Sequence, residues 1–265
     1  MTLLLALALA AAPVQSGYAD IHGLHMYYEI RGQGRPVLLL HGGVSTIAGS
    51  FSPQLGPLSE GHRVIAPEQM GHGHTADADR PFRYEDMMED TAALLARLGV
   101  DRADVVGWSD GGIIGLLLAA RHPERVRKLA VSGVNLRPEG LQPGSRAWLV
   151  KTSAEDWPQP IQEAYAQAFV DGPAHWPVLL NRLKEMWLSF EVRPRDVASI
   201  RAPTLLMVGD RDQVRIEHEL EIFKALANPE LFVVPDCGHN TFNEHPELVN
   251  PVLLQFLDGP MPEKR

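Results

Sequence analysis

The sequence contains a single cysteine, Cys237, so no disulfide can form within the chain and no cysteine-based zinc site is available. It also lacks an excess of basic residues. The formal net charge is −9, and the sequence contains no cluster of basic residues. Both features argue against nucleic acid or an anionic membrane as a natural partner. No apolar run is long enough to span a bilayer. These absences favour a globular chain that acts on a small molecule.

Residues 1–16 form an apolar leader. It resembles a secretory signal peptide, with Ala10-Ala11-Ala12 as the processing site, and predicts a periplasmic or secreted protein. The positively charged start of such a signal is missing, because the first ionisable side chain is Asp20. The alternatives are a wrongly assigned start codon or a disordered tail on a cytoplasmic protein.

The rest of the chain alternates between strand and helix patterns. In a chain of 265 residues with 45% apolar residues, this predicts one α/β fold with a mostly parallel central sheet and helices on both faces. The predicted strands are 18–21, 24–30, 37–40, 63–67, a run ending at Gly107, 128–132, 204–208 and 231–234. The predicted helices are 51–58, interrupted at Pro57, then 84–98, a helix from Gly111, 217–226 and 247–257.

Residues 135–201 break this alternation. They contain no good strand and at least two helical patterns, 162–170 and 178–190, which lie between prolines. We therefore predict a core formed by 17–134 and 202–265, with 135–201 inserted as a helical cap.

The chemistry is organised around Ser109, which lies in a G-x-S-x-G frame between Gly107 and Gly111. The frame alone is a weak signal, but here a β-branched run precedes it and an apolar helical pattern follows it. A sharp strand-to-helix turn of this kind needs small flanking residues and projects the serine Oγ away from the sheet.

A serine hydroxyl is a poor nucleophile and needs a base that a third group orients. In a parallel sheet such partners should follow strands at their carboxyl ends. Asp210 and Asp212 follow one predicted strand, and His239 follows the next. The order serine, acid, histidine is one of the known triad orders. His245 is a weaker candidate base, because it precedes Pro246 and fits a helix entry.

These motifs resemble those of the α/β-hydrolase superfamily over nearly all of the chain after the leader, and the turn around Ser109 is most similar to that of valacyclovir hydrolase-like esterases. The matching segments are His41-Gly42-Gly43, Gly71-His72-Gly73, Gly107-Trp108-Ser109-Asp110-Gly111-Gly112, Gly209-Asp210-Arg211-Asp212 and Gly238-His239.

The resemblance implies the α/β-hydrolase fold and a role for each matching residue. Ser109 would be the nucleophile, His239 the base and Asp212 the orienting acid, since the superfamily places its acid three residues after the glycine. The backbone N–H groups of Gly43 and Asp110 would bind the oxyanion. No metal or organic cofactor is implied.

Several residues have two interpretations. The Asp110 side chain could bind a substrate ammonium, as the resemblance suggests, or stabilise the turn. His72 and His74 are more typical of loop scaffolding than of a metal site, because a third ligand is missing, and His41 is expected to order the loop behind the oxyanion hole. Cys237 is expected to be a small buried hydrophobe.

Four of the five tryptophans fall in the predicted cap, which suggests an apolar lid, a core for the cap itself, or both. We expect Trp187 from the cap and Trp108 beside the nucleophile to contact substrate, with Trp108 also packing within the turn.

The sequence thus predicts a serine hydrolase of carboxylic esters with small to medium acyl groups, acting on a small-molecule ester through an acyl-enzyme. The alternatives with the same site are lactone, amide or carbon–carbon hydrolysis, or cofactor-free perhydrolysis of the haloperoxidase type. The alternative of another class is a ligand-binding homologue that has lost turnover.

Overall fold

The computed structural model describes residues 14–261, so most of the predicted leader lies outside the described residues. Eight strands form one sheet in the order β1-β2-β4-β3-β5-β6-β7-β8. The strands β3 to β8 are parallel, and the hairpin β1–β2 joins the edge antiparallel through β4. The strands are β1 Gln15–Ile21, β2 Leu24–Arg31, β3 Arg35–Leu40, β4 His62–Pro67, β5 Ala103–Trp108, β6 Val126–Ser132, β7 Thr204–Gly209 and β8 Pro229–Val234.

Helices cover both faces of the sheet, because the inner strands alternate apolar side chains between two separate clusters. Leu38, Val105 and Leu206 belong to the cluster that includes the helices 84–97 and 110–121. Val37 and Val106 belong to the cluster on the other face, with the helices 47–59 and 246–258. The helices are α1 Ile47–Ser59, α2 Tyr84–Arg97, α3 Asp110–Arg121, α4 Pro143–Lys151, α5 Gln159–Ala168, α6 Trp176–Ser189, α7 Pro194–Ser199, α8 Ile216–Ala225, α9 Thr241–Glu244 and α10 Pro246–Asp258.

The predicted mostly parallel sheet is confirmed, and a helix is present at 51–58, but its predicted interruption at Pro57 was wrong. That helix is longer and runs without a break through Pro53 and Pro57. Each proline frees the carbonyl four residues before it. The Asn243 side chain donates to the Gly49 carbonyl and the Asn250 side chain to the Pro53 carbonyl, so residues from far along the chain satisfy both groups.

One other boundary also differs. β1 begins at Gln15, which pairs with Ile30, so the last two residues assigned to the leader belong to the sheet. Between β6 and β7 there are four α-helices: α5 and α6 correspond to the two predicted patterns, and α4 and α7 are additional. α7 has six residues, and α4 buries only Leu149, so neither produces a strong helical period.

Among the described helices, none has the length and apolar character needed to cross a bilayer.

Candidate active site

The turn between β5 and α3 holds Ser109 in a strained conformation, with φ 51° and ψ −118°. Non-glycine residues rarely adopt a positive φ, and such strain is typical of functional turns. A Cβ at Gly107 would overlap the Gly111 carbonyl, and one at Gly111 would overlap the Leu40 carbonyl. The flanking glycines are therefore required by close backbone packing, and the turn presents the Ser109 Oγ at the carboxyl edge of the sheet.

His239 and Asp212 meet Ser109 at this edge. The His239 Nε2 lies 2.9 Å from the Ser109 Oγ, and its Nδ1 lies 2.7 Å from Oδ1 of Asp212. A carboxylate only accepts, so Nδ1 carries the hydrogen and, in the neutral ring, Nε2 is free to accept from the serine hydroxyl. The Val214 N–H also donates to Asp212 Oδ1, at 2.9 Å, and fixes the carboxylate from behind.

The electrostatics of His239 follow from two opposed effects. Burial alone would lower the pKa of the imidazole, but the charge and hydrogen bond of Asp212, together with smaller contributions from the charges of Asp110 and Glu244, leave the pKa above its usual value. The site therefore favours an imidazole that accepts a proton readily.

The loop that carries His239 is held on both sides. The Trp108 indole N–H donates to the His239 carbonyl at 2.8 Å. The Glu244 carboxylate accepts from the N–H groups of Gly238, at 2.7 Å, and Asn240, at 3.0 Å. Trp108 was expected to pack within the turn, and its indole reaches the loop of His239. Glu244 was not singled out by sequence reasoning, because a carboxylate five residues from a histidine carries no recognisable pattern.

Asp110, on the opposite side of Ser109, is buried and connects three elements. Its Oδ1 accepts from the Tyr84 hydroxyl of α2, at 2.6 Å, and the Trp187 indole of α6 donates to both oxygens, at 2.9 and 3.0 Å. Burial raises the pKa of this carboxyl, and the two neutral donors partly oppose that effect. Tyr84 was not predicted at the site, since only the fold brings α2 to the turn.

Gly43 lies against this carboxylate. A Cβ at Gly43 would overlap Asp110 and the Trp187 ring. Gly43, Ser109 and Asp110 all line one cavity of about 460 Å³, within the range of small-ligand sites. Gly43 and Asp110 therefore lie beside Ser109 at the wall of the same cavity.

The cavity wall is largely apolar and, among the described residues, includes no lysine or arginine. Three of the four cap tryptophans line it, whereas Trp176 packs within the cap and donates to the Ala154 carbonyl at 2.9 Å. The cap tryptophans therefore divide between the two predicted uses. The aromatic lining residues are Tyr84, Trp108, Trp148, Trp157, Trp187 and Phe190.

The competing residues lie in other settings. The Asp210 side chain accepts from the Cys237 N–H at 3.1 Å, which is turn capping. His245 contacts Glu247 and the Asp236 carbonyl rather than Ser109. Cys237 is fully buried, and burial raises the pKa of its thiol to about 12, so it stays protonated.

The two histidines weighed as a metal pair point to protein groups. His74 Nδ1 contacts the Glu68 carboxylate at 2.8 Å, and His72 contacts the backbone of Met70 and Val44. Within residues 14–261, no group of three or more histidine, cysteine or acidic side chains is arranged to hold a metal ion.

The sequence of this chain is similar to those of known hydrolases. A sequence model described as the alpha/beta hydrolase family matches residues 37–252. A putative carbamate hydrolase RutD from Azorhizobium caulinodans is 32% identical, covering 90% of this chain and 97% of that protein. The human serine hydrolase BPHL is 26% identical over 92% of this chain and 87% of its own.

Solved structures share the fold. The 2-hydroxy-6-oxo-6-phenylhexa-2,4-dienoate hydrolase from Rhodococcus superposes with a TM-score of 0.78 at 21% identity, covering 92% of this chain and 99% of that one. At this identity the similarity establishes the architecture alone.

Proposed function

The chain belongs to the alpha/beta hydrolase family, and we propose that it hydrolyses carboxylic esters of small to medium acyl groups with Ser109 as nucleophile. The observation that carries the proposal is the continuous Ser109–His239–Asp212 hydrogen-bond chain, with steps of 2.9 and 2.7 Å, at the wall of a largely apolar cavity. In this proposal residues 135–201 act as the cap that closes the cavity.

In the first half of the reaction, the Ser109 Oγ attacks the ester carbonyl while His239 Nε2 takes its proton. Asp212 keeps the imidazole in the correct tautomer and stabilises the imidazolium. The N–H groups of Gly43 and Asp110 bind the oxyanion of the tetrahedral intermediate. Each such donor contributes about 3 kcal/mol to the transition state.

The intermediate collapses when the carbon–oxygen bond to the leaving group breaks and His239 returns its proton to the departing alkoxide. A water molecule then follows the same route: His239 takes its proton, the hydroxyl oxygen attacks the acyl carbon, and Ser109 leaves with the proton restored. The products are an alcohol and a carboxylic acid.

The charged side chains in the cavity lining favour substrates whose acyl group is uncharged. Asp110 is the only acidic side chain in the lining, and no guanidinium or ammonium group of the described residues lines the cavity. A substrate carboxylate inside it would be desolvated without a counter-ion, which is costly. Trp187 and Trp108 are the side chains we expect to contact the substrate beside the nucleophile.

The test is a panel of p-nitrophenyl esters of graded chain length, together with amino-acid esters, measured for the wild type and Ser109→Ala. We expect short and medium esters to turn over and Ser109→Ala to lose at least about 10⁴-fold in kcat. Wild-type activity in Ser109→Ala would overturn the proposed nucleophile.

A second candidate keeps the site and changes the bond. The 32% identical relative is named a putative carbamate hydrolase, so a carbamate belongs in the same panel, as do the lactone, amide, carbon–carbon and perhydrolysis substrates that the triad would also serve. A higher kcat/KM on one of these than on any ester would replace ester hydrolysis as the conclusion.

The non-catalytic binding alternative is tested by titration with a fluorophosphonate. Stoichiometric labelling at Ser109 supports a hydrolase, whereas folded protein that stays unlabelled favours a ligand-binding protein. We expect one label per chain.

We propose in addition that the leader directs export, on the basis of its apolar sequence. Cleavage after Ala12 would leave β1, which begins at Gln15, intact. The mature N-terminus of native protein, determined by sequencing, tests this proposal. A chain that retains Met1 would contradict it.

A further inference from the structure

The loop after β3 contains a backbone conformation that needs external support. Val44 has φ 55°, in the left-handed region, although β-branched residues strongly disfavour it. Val44 directly follows Gly43, whose N–H is one of the two proposed oxyanion donors. Any relaxation of Val44 would therefore rotate the peptide plane between Gly43 and Val44, one of the two planes that flank Gly43.

Each of these two peptide planes is held by a buried histidine. The Gly42 carbonyl, in the same plane as the Gly43 N–H, accepts from His41 Nδ1 at 2.8 Å. The Val44 N–H, in the next plane, donates to His72 Nε2 at 3.1 Å. Because a peptide unit is rigid and planar, holding its C=O also fixes the direction of its N–H.

The remaining nitrogen of each ring connects to the loop after β4. His41 Nε2 accepts from the Gln69 N–H at 2.9 Å, and His72 Nδ1 donates to the Met70 carbonyl at 2.9 Å. The two rings lie 5.0 Å apart, and each side chain is about 2% exposed. The four contacts require both rings to be neutral, with the hydrogen on Nδ1 and a lone pair on Nε2.

Burial supports this neutral state, because it lowers the pKa of both His41 and His72 to about 4. A second proton on His72 would place an N–H against the N–H of Val44. A second proton on His41 would do the same at Gln69.

We propose that His41 and His72 are positioning residues that lock the peptide planes on either side of Gly43, so that its N–H points at the oxyanion. This inference rests on the proposed function and extends it to two residues that touch neither the nucleophile nor its base. His41 acts through its Nδ1 hydrogen and His72 through its Nε2 lone pair. The two rings therefore have opposite requirements.

The test uses this opposition. An asparagine amide can replace the Nδ1 position of a histidine, and a glutamine amide the Nε2 position. For His72 we expect His72→Asn to lose about 10-fold to 100-fold in kcat with little change in KM, and His72→Gln to lose far less. For His41 the order reverses: His41→Gln is the damaging variant and His41→Asn the mild one.

The two positions should therefore differ: glutamine is the milder substitution for His72, and asparagine is the milder one for His41. If the histidines had only a general structural role, the two substitutions would cause equal losses, or the same one would be milder at both positions. Equal losses in either pair, or losses mainly in KM, would overturn the inference. If Ser109→Ala retained activity, the proposed function would fail, and the histidine variants would then have no oxyanion to report on.

A measurement on the wild-type protein removes the dependence on folded variants. Nitrogen-15 NMR of the histidine rings near pH 7 reports which ring nitrogen carries the hydrogen. We expect the Nδ1–H tautomer for both His41 and His72. An Nε2–H tautomer at either ring would overturn the inference without any substitution.

Discussion

Two buried aspartates, Asp212 and Asp110, lie close to Ser109 and have different partners. We call the hydrogen-bond chain Ser109–His239–Asp212 the relay side, and Asp110 with Tyr84 and Trp187 the clamp side. On the relay side, Asp212 faces an imidazole, so its negative charge raises the pKa of His239. On the clamp side, Asp110 faces a phenol and an indole, neutral donors that join the turn to α2 and α6. Both carboxylates are buried but differ in their hydrogen-bond partners: Asp212 bonds to an imidazole that can carry a proton, whereas Asp110 bonds to two neutral donors and joins three elements.

The largest effect should come from breaking the relay side. Asp212→Asn removes the charge that stabilises the imidazolium and permits the wrong tautomer, so we expect kcat to fall about 10⁴-fold. The pH profile of kcat/KM should move as well. Loss of the anion lowers the pKa of His239, so the acid limb, where the base becomes protonated, should shift to lower pH.

Asp210→Asn is the matched control for this change. It lies two residues away, and its side-chain oxygen caps the Cys237 N–H, a contact that an amide oxygen can keep. We expect near-normal kcat. A loss in Asp210→Asn as large as in Asp212→Asn would mean that the wrong aspartate has been assigned to the relay.

The clamp side should respond more weakly and without substrate preference. Asp110→Asn weakens the contacts to Tyr84 and Trp187, and we expect about a tenfold fall in kcat/KM on neutral acyl esters and amino-acid esters alike. Trp187→Phe, which removes the indole donor together with part of the ring, should act in the same direction. A loss confined to amino-acid esters would show that Asp110 binds a substrate ammonium instead.

Because His41 and His72 are neutral in the folded chain, we expect the free energy of unfolding to depend on pH. His41 and His72 stay neutral in the folded chain down to about pH 4, while in the unfolded chain they titrate near 6.5. The unfolded state therefore binds more protons in this window, and the free energy of unfolding should fall as the pH drops from 6.5 to 4, by on the order of 3 kcal/mol for each ring.

Urea unfolding at several pH values measures this effect. His72→Gln should flatten the pH dependence, because it removes one of the two buried neutral rings. A wild-type stability that does not fall between pH 6.5 and 4 would contradict the neutral pair.

The smallest effect is expected at the cavity wall formed by α4. Trp148 lines the cavity but is 45% exposed, so Trp148→Ala should raise KM a few-fold for longer acyl chains and leave acetate esters unaffected. Val150→Ala on the same helix, exposed and outside the cavity, is the matched control. Equal effects at both positions would mean that α4 acts through its own stability rather than through the substrate.

Local patterns were sufficient for the sheet and for the residues of the relay. A nucleophile turn needs small residues at fixed spacing, and parallel strands deliver the residues that follow them to one edge. Ser109, Asp212 and His239 could therefore be singled out from the sequence, and the structure brings them within hydrogen-bond distance. Their catalytic roles remain predictions for the experiments above.

The sequence by itself determined the alternation of elements and the turn at Ser109, because each depends on residues that are neighbours along the chain, and it indicated Asp212 and His239 because each follows a strand and matches a family motif. Only the tertiary structure shows the contacts of Asp110 with Tyr84 and Trp187, the hydrogen bonds of His41 and His72 to the peptides beside Gly43, and the unbroken helix through Pro53 and Pro57. Each of these depends on a hydrogen-bond partner tens to hundreds of residues away or on another loop. Such a contact produces no local pattern in the sequence, because the two partners come together only when the helices have packed against the sheet.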